Sequence, residues 1–328
     1  MRAQLIQTIT EIQDYVPVNM TSDIDTVSPF LASAENMYLV KLIGSGQFAD
    51  LQEAYAAAGD NAGAITDPEI KQAVLYCQKV IANLGYFLAI PVLSLSIGSS
   101  GIQINSNENT KQAFQWQVED LKSSLLDLGF NGIEELLELL ESDTDKFAQF
   151  AFSTQQAKIN KLLIRSACDF SDQYNINNSR YVFQTIAYIM KRVEDQTVQR
   201  IFGIDFFQSL KGPTLTDAQQ YLVDNYIKPG IVLLTVAKGI VERVIAFQDG
   251  TVGVNFRGRY ENIKESLSPT GEQIATTTDQ LICDGNQFLQ DGIEHVLANP
   301  TDFTTYVAPE PRRRFKFKND PRKGLFGL

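Results

Sequence analysis

One histidine, one tryptophan and three cysteines occur in 328 residues. With His295 alone, a multi-histidine metal site and most histidine-based acid–base chemistry are excluded. Cys77, Cys168 and Cys283 lie roughly a hundred residues apart with no CxxC spacing, which excludes a secreted disulfide framework and predicts buried small hydrophobes. Long apolar runs are missing as well. The windows Phe87–Leu95, interrupted by Pro91, and Gly230–Ala237, ended by Lys238, fall short of the ~20 residues that span a bilayer. The opening stretch Met1–Pro17 has no continuous apolar core of a signal peptide. These absences predict a chain made in a reducing cytoplasm, without a membrane partner.

What is present is an acidic chain of globular composition, 44% hydrophobic and 20% charged. Its 28 basic residues face 39 acidic ones, a net charge of -11. That balance argues against a protein that coats nucleic acid. The length allows about two domains of ordinary size, each with its own core.

The sequence is written twice. At an offset of 159, Glu35 falls on Glu194, Gly44 on Gly203, Phe48 on Phe207 and Leu51 on Leu210. Gly98–Gly101 matches Gly250–Gly253 at 152, and Gly132-Ile133-Glu134 matches Gly292-Ile293-Glu294 at 160. Ordered matches at nearly constant offset indicate tandem duplication. The expected fold class is mostly α: two tandem helical bundles, each with a projecting β-hairpin, and an extended C-terminal arm. The expected boundaries are an N-terminal segment 1–21, a first repeat 22–150 with hairpin 92–104, a linker with a helix at 151–177, a second repeat 178–306 with hairpin 244–256, and an arm 307–328.

Local signals support these elements. Gly44-Ser45-Gly46 stops an apolar-periodic segment as a helix C-cap, and lacks both the preceding strand and the Lys-Ser/Thr ending of a phosphate loop. Asp67-Pro68-Glu69 opens a long helix that is expected to run to Pro91. Leu93, Leu95 and Ile97 then alternate with serines up to the Gly98–Gly101 turn. Val244–Phe247, Asp249-Gly250 and Val252–Phe256 repeat the change of period. Helical periodicity resumes at Lys111–Leu128 and Ile133–Leu140, and in the second half at Tyr260–Leu267 and Glu272–Leu297. Gly98-Ser-Ser-Gly101 is no nucleophile elbow, since no helix directly follows. Glu294 and His295 are adjacent on a helix and form no acid–base pair. No catalytic residue and no cofactor is expected.

Two charge features remain. Glu134, Glu135, Glu138 and Glu141 interleave with leucines, an amphipathic helix with a solvated acidic face and a candidate lining for a channel that DNA traverses without specific binding. The C-terminal segment 312–328 holds seven of the 28 basic residues and one of the 39 acids, leaving 21 against 38 in the body. Arg312, Arg313, Arg314, Lys316 and Lys318 surround Phe315 and Phe317, and Leu325, Phe326 and Leu328 close the chain. A basic, partly apolar arm on an acidic body is suited to contacts between protein copies.

The segment Asp23–Phe30 followed by Ala34-Glu35-Asn-Met-Tyr38-Leu-Val-Lys-Leu-Ile43-Gly44 resembles the opening helices of the head–tail connector (adaptor) proteins of tailed bacteriophages. It is similar also to an uncharacterised family of Bacteroidetes prophages. The resemblance spans residues 22–104 at the level of helix order. It implies a non-enzymatic virion protein of the neck, forming a ring with copies of itself beneath the portal and contacting portal and tail proteins. Simple connectors have one bundle, so this chain departs from them by its duplication. A tail terminator, a baseplate piece or a cytoplasmic oligomeric scaffold would share the same enzyme-free helical character.

Overall fold

The computed structural model describes residues 4–17, 24–93, 95–98, 101–104, 114–242, 245–248, 251–254 and 271–309. Expectations for the arm 312–328 and for a helix at Tyr260–Leu267 lie outside the described residues.

The first half opens on α1 (Ile9–Gln13), set by a capping box in which Thr8 Oγ1 accepts from the Glu11 N–H and Glu11 Oε2 accepts from the Thr8 N–H. Next come α2 (Ile24–Ala34), a π-helical turn over Glu35–Val40, and the single turn α3 (Lys41–Ile43). Gly44 ends it at φ 88°, a conformation that favours glycine, and α4 (Ser45–Ala57) begins at the next residue. α5 (Pro68–Leu93) is capped by Asp67, whose Oδ1 accepts from the N–H groups of Glu69 and Ile70 at 3.0 and 3.1 Å. β1 (Leu95–Gly98) pairs antiparallel with β2 (Gly101–Ile104), and α6 (Gln115–Ser142) completes the half.

The second half repeats this order. It is preceded by α7 (Ala148–Ala151), whose Phe150 is buried in the first core, and opens on short helices α8 (Thr154–Ile159) and α9 (Ala167–Ser171), which lead into α10 (Arg180–Val193). A π-helical turn follows over Glu194–Val198, then α11 (Gln199–Phe202). Gly203 stands at φ 86° and ψ 150°, against 88° and 149° at Gly44. α12 (Ile204–Ser209), α13 (Asp217–Leu222), a third π-helical turn over Val223–Ile227 and α14 (Lys228–Val241) come next. β3 (Ile245–Gln248) pairs antiparallel with β4 (Thr251–Val254) before α15 (Gly271–Ala298). The fold is mostly helical and internally duplicated, down to the π-turns that begin at Glu35 and Glu194 and the left-handed glycines Gly44 and Gly203, while the π-turn over Val223–Ile227 has no counterpart among the described residues of the first half.

Each half encloses its own hydrophobic core. Leu31, Val74, Ile81, Leu136 and Phe150 belong to the first, and Ile159, Phe183, Phe207, Ile231 and Leu289 to the second. The packing redraws the expected boundaries. Leu5, Ile6, Ile12 and Val16 are buried in the first core, so 1–21 is not a separate N-terminal segment. Ile159, Leu162, Ile164, Phe170 and Ile176 are buried in the second, so 151–177 is no linker. The expected helix there is broken into α8 and α9, because Ser166 begins a new helix by accepting from the Asp169 N–H.

Other expectations are corrected by the backbone. α5 continues past Pro91 to Leu93, so the proline is accommodated inside the helix. By length and composition α5 is apolar enough to cross a membrane, and 67% of its most apolar window is buried inside the bundle. The interval expected to separate two helices after residue 128 is continuous in α6. The ladders start at Leu95 and Ile245, an offset of 150, so Gly98 falls on Gln248 and not on Gly250. Cys77 is buried as expected, whereas Cys168 and Cys283 are exposed because their neighbours Ala167, Phe170, Leu281 and Leu289 take the core positions.

The long helices of the second bundle meet at two glycines. A Cβ on Gly230 would lie 2.7 Å from Leu289 Cγ and 3.1 Å from the Gly285 carbonyl oxygen. One on Gly285 would lie 2.9 Å from Leu234 Cγ. Alanine would gain ~1 kcal/mol of helix propensity but would force α14 and α15 apart, an overpacking cost of ~1–3 kcal/mol. Gly230→Ala is therefore expected to lower the urea midpoint of unfolding, and a raised midpoint would show that this crossing has slack.

Candidate inter-bundle binding groove

The bundles are joined through α6 and the N-terminus of α10. Glu134 reaches across from α6, where its Oε2 accepts from the Arg180 N–H at 2.8 Å and its Oε1 from the Tyr181 N–H at 3.1 Å and from the Ser179 hydroxyl. These are first-turn N–H groups that no intrahelical carbonyl satisfies, and the positive end of the helix dipole favours a carboxylate there. Arg180 turns back onto α6, donating from Nε to Glu141 at 2.8 Å and approaching Glu138 at 3.6 Å. Partial burial raises the Glu141 carboxyl above its usual range, opposed by the Arg180 hydrogen bond and charge and reinforced by Glu134 and Glu138. Glu135 pairs instead with Lys79 of α5 at 2.7 Å.

The expectation of one solvated face at Glu134, Glu135, Glu138 and Glu141 holds only in part: Glu134 is taken up by the N-terminus of α10, whereas Glu138 and Glu141 stay exposed beside Arg180 and Glu135 is half-exposed beside Lys79.

Beside this joint lies a groove of about 630 Å³. Its apolar surface comes from Met37, Tyr38 and Leu42 of the first bundle and Ile159, Tyr181 and Tyr188 of the second. Phe130 stands behind it between two of these rings, with centroids 6.2 Å from Tyr38 and 5.2 Å from Tyr181. Burial, reinforced by Tyr38, raises the Tyr181 phenol above its usual range, so it stays neutral. Lys41, Lys158, Lys161 and Lys191 also line the groove, and among the described residues no carboxylate does. Lys191 is neutralised by Asp195 at 2.6 Å. Gln184 completes the lining, with its amide Nε2 buried and without a hydrogen-bond partner.

The expected contact residues of the arm lie outside the described residues, and the groove is built from others. It escapes sequence reasoning because its side chains come from segments more than a hundred residues apart. One signal was available: residues 151–166 carry Lys158, Lys161 and Arg165 and no acid, inside an otherwise acidic body.

His295 also has surroundings that its sequence neighbours did not reveal. Its ring stacks on Tyr226 at 5.5 Å and lies near Tyr221 and Phe303. Among the described residues, no cluster of three or more His, Cys, Asp or Glu side chains is arranged to hold a metal ion.

One family profile matches the chain twice, over residues 39–160 and again over 191–316, which together exceed half of its length. The chain belongs to DUF6712, a family of unknown function. Its two DUF6712 regions begin 152 residues apart and end 156 apart, within the spread of the repeat offsets. No curated protein and no solved structure matches the chain.

Proposed function

We propose that this DUF6712 chain is a non-enzymatic structural subunit, a head–tail connector of a tailed phage or phage-like particle that assembles as a ring beneath the portal. The observation that carries the reading is the duplication: two like bundles, fixed to each other through Glu134 and Arg180 without an intervening linker. Such a subunit offers two related surfaces in one body. Six copies present twelve bundles, which suits a twelve-fold partner on one side and a six-fold partner on the other; twelve copies would give a simple match to the former. A closed ring needs a heterologous interface whose rotation closes.

In this reading the β1–β2 and β3–β4 ladders project from their bundles as hairpins. The basic arm, with Arg312, Phe315, Phe317 and Leu328, docks on an acidic neighbouring copy or on the portal, in the neck of the virion. DNA passes without specific binding, no cofactor is used and no membrane is engaged.

The test is assembly. Light scattering and negative-stain microscopy of the full chain with its portal are expected to show rings of six or twelve. Deletion of residues 312–328 is expected to leave a folded body, since each bundle has a core built from residues that precede them, while abolishing rings and portal binding. A full chain that stays monomeric with its portal would refute the connector reading, and rings from the truncated chain would refute the role of the arm.

A further inference from the structure

The groove between the bundles has the properties of a ligand site rather than of a packing defect. Its volume of about 630 Å³ lies within the ~300–1,000 Å³ of sites that take small organic molecules, which are mostly apolar, contain a few placed polar groups and often form between domains. A defect in a seam between two folded units would be lined by whatever each unit left uncovered, and in a chain of net charge -11 that would include carboxylates. Here, among the described residues, the charged lining is all cationic. Lys41, Lys158 and Lys161 are exposed, and among the described residues no carboxylate comes within ion-pair distance of them. The first comes from one bundle and the other two from α8 and the residues just after it, so neither half alone brings them together.

The lining also holds a donor that lacks an acceptor. Gln184 Nε2 is buried and among the described residues has no hydrogen-bond partner, which is unfavourable, and a turn of this side chain toward the groove would let an entering oxygen satisfy it. Tyr38, Tyr181 and Tyr188 supply ring faces and edges for a flat body, and Met37 adapts to its outline.

We propose that this groove binds a small organic anion, one with a planar apolar body that lies against the tyrosines and with a carboxylate or phosphate that meets the three free lysines and Gln184. The C-terminal arm is excluded as an occupant by its own charge, since seven basic residues would face lysines. The proposal does not depend on the assembly reading. A ring-forming chain and a monomer would present the same groove, because both walls belong to one copy.

A matched pair of probes tests it: anilinonaphthalene sulfonate, which is anionic, and N-phenyl-naphthylamine, which has the same rings without the charge. Each is titrated against the full chain by fluorescence and calorimetry. The expected result is one saturable site per chain, with the anion bound at least about tenfold more tightly, the scale of one charge-assisted hydrogen bond. The triple variant K41Q/K158Q/K161Q should lose that tenfold preference yet bind the neutral probe unchanged. Q184L should also weaken the anion selectively. The four substitutions leave both cores intact, and unchanged circular dichroism checks this.

Equal affinity for the two probes would overturn the proposal, as would several weak sites per chain or a triple variant that binds the anion as before. A hexaglutamate peptide is the competitor. Its failure to displace the anion is expected, and full displacement would reassign the groove to an acidic protein segment, also overturning the proposal.

Discussion

Glu194→Gln is expected to destabilise the protein by about 3 kcal/mol, whereas the same change at the matching position, Glu35→Gln, should cost little or raise stability at neutral pH. Both glutamates begin a π-helical turn and both are buried. Both also accept from the backbone of a segment about thirty residues upstream: Glu35 from the N–H groups of Gln4 and Leu5 at 2.7 and 3.0 Å, Glu194 from that of Leu163 at 2.7 Å. The difference is Lys211, whose Nζ lies 2.5 Å from Glu194 Oε2 with a side chain only 10% exposed. An amide at 194 can still accept from Leu163 but leaves a buried ammonium without its counter-charge. At 35 an amide keeps both acceptor bonds and removes a charge that burial disfavours. Restoring stability by adding Lys211→Met to Glu194→Gln would locate the loss in the orphaned lysine, because a buried pair replaced as a whole is nearly neutral. Equal losses at 35 and 194 in urea titrations would refute this account.

The pH dependence follows from the same burial. Desolvation raises the Glu35 carboxyl above its usual range against the hydrogen bonds from the Gln4 and Leu5 N–H groups. A carboxyl with a raised folded pKa binds its proton more readily in the native state. Its contribution is therefore fully present below the unfolded value, near pH 4, and is lost as pH climbs through the folded value. Glu35→Gln should flatten that part of the profile, and a slope unchanged by the substitution would assign it to other groups.

These two residues show what the sequence made legible. Glu35 and Glu194 aligned at an offset of 159, with Gly44 and Gly203, because each needs its residue type for a local reason: a left-handed φ at the glycines, an acceptor at the turn for the glutamates. Their partners were not legible, since Gln4 and Leu163 lie outside the stretch where similarity is readable and were assigned to a terminal segment and a linker. The strand register departs from the expected one for the opposite reason. Gly98–Gly101 and Gly250–Gly253 make a persuasive match, yet the ladders are in register two residues away from it. Periodicity reports that a face of α6 is polar but not which of its carboxylates another helix takes up. Glu134 is the one held by α10, whose Arg180 lies 46 residues further on.

That attachment is the basis of the second large effect. Glu134→Ala removes the acceptor for the Arg180 and Tyr181 N–H groups and for the Ser179 hydroxyl, while Ser179 Oγ continues to cap the helix by accepting from the Val182 N–H at 3.1 Å. Loss of a charged acceptor at part-buried donors costs about 2 kcal/mol. The location makes the consequence larger than that figure suggests. Each bundle has a core of its own, and among the described residues Tyr181 of α10 packs against both, so α10 couples their stabilities. With Glu134 gone, Arg180 still meets Glu141 at the surface, a bond that contributes little when screened by water. The expected result in calorimetry or urea is a single transition that separates into two, with faster proteolysis between the bundles and little change in helix content at low denaturant. Glu134→Gln, which retains one acceptor oxygen, should fall between wild type and alanine. If Glu134→Ala unfolds in one transition within about 0.5 kcal/mol of wild type, as an ordinary surface substitution does, then the bundles are coupled through other contacts.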